Sequence, residues 1–200
     1  MKPGYVRRFS KTERTIHWVN AVGFFLLLAT GLILYLPGLS VEVGRRPLIK
    51  DIHFWGGCGW VGALLIVAVL GDRSGLLRTA REIDVFARED VNWLTLRRPR
   101  EQARFNAGQK INAALTAAFM VLFLASGLLL WFGERDTRFR FVSTVILHDA
   151  LLYASLALLF GHLYLALIHP TTRHALRGMV LGDVREDWAR QHHARWDTRD

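Results

Sequence analysis

Four stretches of this chain are apolar for long enough to cross a lipid bilayer, and that limits what it can fold into. A helix needs about 20 mostly apolar residues to span the hydrocarbon core. Ile16–Leu36 contains GFFLLLATGLILYL and stops at Pro37, and Ile52–Leu70 contains GWVGALLIVAVL. Ile111–Phe132 is apolar apart from Asn112, Thr116 and Ser126. Val145–Ile168 contains LLYASLALLFGHLYLALI and stops at His169-Pro170. The first stretch is too long for a signal-peptide core and no small-residue cleavage site follows it, so it reads as a retained span. The pattern predicts an all-α membrane protein, a four-helix transmembrane bundle forming one domain over residues 1–200.

Apolar residues make up 52% of the chain and charged residues 22%. Both figures hold at once only because the two kinds are segregated along the sequence. That excludes a soluble globule, a disordered chain and a disulfide scaffold. The lone cysteine, Cys58, excludes an internal disulfide, a Cys-rich zinc or iron–sulfur site, and c-type haem attachment.

The basic residues set the orientation. Twenty of the 26 flank one side: Lys2, Arg7, Arg8, Lys11 and Arg14, nine from Arg73 to Lys110, and six from Arg173 to Arg199. The other side has Arg45, Arg46, Lys50, Arg135, Arg138 and Arg140. The excess of Lys and Arg on cytoplasmic loops predicts both termini in the cytoplasm. The net charge of +9 thus belongs to membrane edges and needs no nucleic acid to explain it. The cytoplasmic loop 71–110 contains LLRTAREIDVFAREDVNWL, which fits an amphipathic helix on the membrane surface or a solvated helix of the loop. The polar tail, 171–200, reads as cytoplasmic and suited to docking.

Ionisable side chains inside a span are costly and point to function. Four of the eight histidines lie in the spans: His17, His53, His148 and His162. Following the chain back and forth, His17 falls near the inner face and His53 near the outer face. His148 begins span four near the outer face. His162 follows fourteen residues later, about 21 Å deeper, and close to four turns puts both on one helix face. Depth therefore pairs His53 with His148 outside and His17 with His162 inside. Two imidazoles facing each other from different helices suit a six-coordinate haem iron that transfers electrons. A single membrane histidine can equally be a hydrogen-bonding partner between helices, but that does not predict pairing by depth. Zinc would need three or four ligands close together, which the spacing forbids. Gly56, Gly57, Gly59 and Gly62, with Gly23, Gly31 and Gly161, fit a bare surface for a flat macrocycle or close helix packing. His169, beside Pro170, reads as interfacial, with His162 preferred as ligand.

Nearly the whole chain resembles the gamma subunit of membrane-bound formate dehydrogenase, a di-haem cytochrome b. The residues that carry the resemblance are RFSKTERTIHW opening span one, His53 opening span two, FNAGQKIN entering span three and HDALLYASLALLFGH in span four. It implies two haem b, the outer held by His53 and His148 and the inner by His17 and His162. It also implies a quinone near the inner haem, against Asn106 and Gly108 with Gln109 adjacent. A quinone carbonyl needs donors, a helix start offers free N–H groups, and glycine permits close approach. Asn106 capping the helix and Lys110 snorkelling is the plainer reading of that segment.

The implied role is the electron-transfer and quinone-reducing subunit of a complex in the bacterial inner membrane. An iron–sulfur beta subunit would donate electrons. A molybdenum or tungsten alpha subunit would carry formate oxidation. The rivals are the cytochrome b of a nickel–iron hydrogenase, whose sequences open similarly, or of a related periplasmic oxidoreductase, a stand-alone haem b quinone oxidoreductase, and a haem-free membrane anchor or small transporter. No inverted repeat or helix break at mid-membrane favours a transporter.

Overall fold

The structure, a computed structural model, describes residues 4–98 and 101–197. Lys2, Arg100 and Arg199, counted above among the basic residues, lie outside the described residues. A short strand, β1 (Tyr5–Arg7), leads into α1 (Lys11–Tyr35), followed by α2 (Pro37–Val43) and α3 (Arg46–Leu70). α4 (Arg73–Asp84) and α5 (Arg88–Leu94) fill the long loop before α6 (Ala107–Gly133). α7 (Val142–Leu163) runs on into a π turn over Tyr164–Ile168. α8 (Leu176–Leu181), β2 (Asp183–Arg185) and α9 (Glu186–His192) complete the tail.

Four helical stretches, Lys11–Tyr35, Arg46–Leu70, Ala107–Gly133 and Val142–Ile168, are long and apolar enough to cross a membrane. Each begins several residues before the apolar window, and at α1 and α6 the start is fixed by a polar capping box. At α1, the Ser10 hydroxyl accepts from the Glu13 amide at 3.2 Å and the Glu13 carboxylate accepts from the Ser10 amide at 2.7 Å. This reciprocal box satisfies two helix-end donors. At α3, Pro47 occupies the first turn, where its missing N–H costs nothing.

The spans form two antiparallel hairpins. α1 packs along α3, and α6 packs along α7. Glycine sets the first interface: a Cβ on Gly23 would fall 2.2 Å from the Trp60 ring, and one on Gly56 would lie 3.2 Å from Leu26. The hairpins meet through Phe54 of α3, stacked 3.8 Å from Trp131 of α6, and through a 2.6 Å bond between the Tyr35 and Tyr153 hydroxyls. Val22, Leu65, Val69, Val121, Ile146 and Phe160 point outward and are exposed. In a membrane protein, lipid covers such faces.

The chain departs from an all-helical fold at one end. β1 and β2 form a two-stranded antiparallel sheet, pairing Val6 with Val184. Val6, Val184, Trp188 and Ala189 form a small buried core, with Ala175 and Trp196 packed on it. The first and last described segments therefore lie together at the end of the bundle that also holds α4 and α5. The tail folds back on its own chain. The loop segment forms two helices broken at Val85–Ala87, with Leu77, Val85, Phe86 and Leu94 exposed.

Candidate functional site

The structure brings the four in-span histidines together in the pairs that depth predicts. His53 of α3 and His148 of α7 face each other with ring centroids 6.3 Å apart and ring planes at 69°. His17 of α1 and His162 of α7 stand 6.1 Å apart at 57°. With each ligating nitrogen about 2 Å from a shared metal, two axial imidazoles have centroids roughly 6 Å apart. Both pairs meet that spacing. Each takes one ring from each hairpin.

The His53–His148 pair is held by two hydroxyls. Thr30 Oγ1 lies 2.8 Å from His53 Nδ1, and Ser126 Oγ lies 2.8 Å from His148 Nδ1. Each hydroxyl also donates to a backbone carbonyl one turn earlier, Thr30 to Leu26 at 2.8 Å and Ser126 to Leu122 at 2.7 Å. With its proton committed, each oxygen accepts from the imidazole Nδ1–H. That fixes the tautomer and leaves Nε2 with a free lone pair, the arrangement a metal-bound histidine needs. The residue after each hydroxyl is a glycine against the same ring. A Cβ on Gly31 would lie 3.3 Å from His53 Cε1, and one on Gly127 would lie 3.8 Å from His148 Cε1.

A cavity of about 780 Å³ separates the hairpins at this level, lined by His53, His148 and mainly apolar side chains such as Phe24, Leu28 and Phe123. That is within the range of ligand pockets, about 300–1,000 Å³. Ligand spacing, tautomer and cavity together fit a flat, apolar, six-coordinate iron macrocycle. At the His17–His162 pair, a Cβ on Gly161, beside His162, would meet nothing within 4 Å.

The π turn after His162 widens the helix and carries His169 off the ligand face. Its ring packs on Tyr164 at 5.9 Å and its Nδ1 lies 3.1 Å from Thr172 Oγ1. His162, and not His169, thus stands opposite His17.

At the start of α6, Asn106 Oδ1 accepts from the Gln109 amide at 2.9 Å, and Gln109 Oε1 accepts from the Asn106 amide at 3.0 Å. The Ala107 amide is taken by Gln102 Oε1 at 3.0 Å. A Cβ on Gly108 would lie 3.1 Å from the Trp93 ring. Lys110 does not snorkel. Its ammonium is buried, bonded to Asp90 at 2.7 Å and to the Val85 carbonyl at 2.9 Å.

Above this segment sits a charged layer that the sequence reading did not identify. Arg8 is buried and donates to the Arg104 carbonyl at 2.9 Å and to Gln109 Oε1 at 3.4 Å. His193 Nδ1–H donates to the Ala103 carbonyl at 2.6 Å, so its Nε2, 3.2 Å from Arg8, accepts. Burial, then the Arg104 charge, lowers the Arg8 pKa to about 9, and the guanidinium stays charged at neutral pH. Burial, then the Arg8 charge, lowers His193 to about 3. Arg104 bonds Glu82 at 2.7 Å and Glu13 at 3.0 Å, and it also contacts Thr79.

The family described as prokaryotic cytochrome b561 matches residues 8–182. The chain is 26% identical to the formate dehydrogenase cytochrome b556(fdo) subunit of Escherichia coli K12, over 94% of this chain and 90% of that protein. It is 26% identical to the formate dehydrogenase cytochrome b556 subunit of Haemophilus influenzae, over 94% and 81% of the two chains. It is 21% identical to the nitrate-inducible cytochrome b556(Fdn) subunit of formate dehydrogenase from E. coli K12, over 92% and 86%.

Proposed function

Because the chain belongs to the prokaryotic cytochrome b561 family, we propose that it is the di-haem b subunit of a formate dehydrogenase in the bacterial inner membrane. Both termini face the cytoplasm in this reading. The observation that carries it is the pair of histidine pairs at two depths, each spanning the two hairpins at the spacing of axial ligands. His53 and His148 hold the outer haem, and His17 and His162 the inner one. Bound there, the haems supply one-electron transfer across the bilayer, between a periplasmic iron–sulfur subunit and quinone.

The chain's own residues do the positioning. Thr30 and Ser126 hold His53 and His148 in the ligating tautomer. Apolar side chains such as Phe24, Leu28 and Phe123 line most of the cavity. The quinone is a substrate at the inner end, against Asn106, Gly108 and Gln109. The amides of Asn106, Ala107 and Gln109 are taken by side chains. The Gly108 amide, in the first turn, has no such partner among the described residues and can donate to a quinone carbonyl. The molybdenum or tungsten chemistry of formate oxidation belongs to a separate subunit.

Haem content per purified chain tests this reading. Two b-type haems are expected, with His53→Ala and His17→Ala each losing a different one. In membranes that contain the whole complex, formate should reduce both haems. A folded, haem-sufficient preparation with no haem would overturn the proposal, and one haem would break one of the pairs.

A further inference from the structure

The cavity between the hairpins has a polarity gradient that axial ligation alone does not use. Its depth is apolar, while its outer rim carries three cations, Arg46, Lys50 and Arg140. Glu134 and Asp149 are the acids that line the same cavity, Asp149 directly after His148. Lys50 is paired with Glu134 at 2.6 Å. The other two cations are guanidiniums, and neither has a carboxylate within 4 Å among the described residues.

The fold aims the Arg46 side chain and fixes the backbone of Arg140. Arg46 donates to the Leu34 carbonyl at 2.8 Å and to the Ser40 hydroxyl at 3.1 Å. These neutral partners fix its direction without compensating its charge. Arg46 precedes His53 by seven residues, about 10 Å along α3 on nearly the same face. Arg140 reaches the rim from the other hairpin. Its amide donates to the Thr137 carbonyl at 3.1 Å, and its loop lies tightly on α6. A Cβ on Gly133 would fall 2.9 Å from the Phe139 carbonyl oxygen. The Arg140 side chain itself makes no hydrogen bond or ion pair among the described residues.

We propose that Arg46 and Arg140 form a carboxylate subsite that seats the two propionates of the outer haem, one guanidinium from each hairpin. The proposal rests on the haem reading above and adds an orientation to it. Haem b is apolar over most of its perimeter and carries both carboxylates on one edge. Only the outer rim offers that edge charge-assisted hydrogen bonds, while the apolar edge matches the depth of the cavity. The planar fork of arginine suits a carboxylate better than a lysine ammonium does.

The test is the binding of haem b against haem b dimethyl ester, which keeps the ring and iron but has no free carboxylates. The full-length chain is prepared from haem-deficient cells in detergent. Titrations use the His17→Ala chain, which retains only the outer pair, and are repeated with the unaltered chain. The free acid should bind at least about tenfold more tightly than the ester. Combined Arg46→Gln and Arg140→Gln substitutions should bring the two within about twofold, with axial ligation unchanged in the visible spectrum. Equal binding of acid and ester by the chain with both arginines overturns this proposal alone and needs no arginine variant to fold. A preference that survives both substitutions also overturns it. Uptake of neither pigment overturns the haem reading, and this proposal with it.

Discussion

At the outer end of the bundle, His53 and His148 face each other across an open cavity, and each ring is steadied by a hydroxyl from its own hairpin. At the inner end, His17 and His162 stand at nearly the same spacing beneath a folded layer of strands, short helices and paired charges. The outer end is held mainly by contacts between the spans. The inner end is roofed by a cap with its own apolar core of Val6, Val184, Trp188 and Ala189. Under the proposed function, the difference would fit two jobs. An outer centre that receives electrons from another subunit would need an accessible edge, and an inner centre that reduces quinone would need a shaped substrate pocket.

The sharpest way to break this comparison is to attack one end and watch the other. Asp90→Ala leaves the buried Lys110 ammonium without its counter-charge. Such a loss typically costs about 3–5 kcal/mol. It should loosen the inner layer and impair the inner haem while the outer haem's spectrum and potential hold. Proteolysis of the loop, read beside a redox titration of both haems, checks it. Loss of both haems would mean that the ends are not independent.

Thr30→Val should have the reverse pattern and a smaller size. It removes the acceptor for His53 Nδ1–H, and losing such a supporting partner typically lowers metal affinity about 10–100-fold. The ring becomes a weaker donor, so the outer haem's midpoint potential should rise. The inner potential should stay where it was. Spectroelectrochemical titration resolves the two.

Acid gives the mildest contrast. His193 has an ordinary pKa of 6.5 and is lowered to about 3 by burial and by Arg8. The unfolded tail binds a proton in that interval and the folded tail refuses it. The cap's stability should therefore fall as pH drops from about 6.5 toward 3, and His193 should contribute no pH dependence above that window. Trp188 fluorescence should report the opening, and His193→Gln should flatten the acid limb. An unchanged limb in that variant would assign the sensitivity elsewhere.

The spans and the histidine pairing were legible because both follow from simple arithmetic. An apolar run long enough to span, a rise of 1.5 Å per residue and a repeat of 3.6 are enough to place His17, His53, His148 and His162. The hydroxyl supports were less visible. Ser126 stood out as a polar break in span three, but Thr30 was lost within an apolar run. A search for Ser or Thr at the depth of each histidine would have found both. The β1–β2 pair could not be read locally. YVR and DVR are three-residue strands from opposite ends of the chain, stabilised only once the bundle brings them together. Lys110 was misleading for a related reason. A lysine at a membrane edge reads as snorkelling until the fold delivers Asp90 to it. The polar tail was opaque too, since His193 is buried by Arg8, Ala103, Trp188 and Trp196, which only the fold brings together.

The division into two hairpins has a consequence for how the protein is made. Each hairpin has its own hydroxyl clamp and two helices long and apolar enough to cross a membrane. Each histidine pair draws one ring from each hairpin, so a bound haem would act as a rivet between the two halves. During biosynthesis, cofactor supply would then govern when the halves lock. A chain made without haem would still keep the Lys50–Glu134 ion pair, the Tyr35–Tyr153 bond, the Phe54–Trp131 stack and the cap between its halves. Membrane quality-control proteases would have a physical basis for telling finished molecules from unfinished ones.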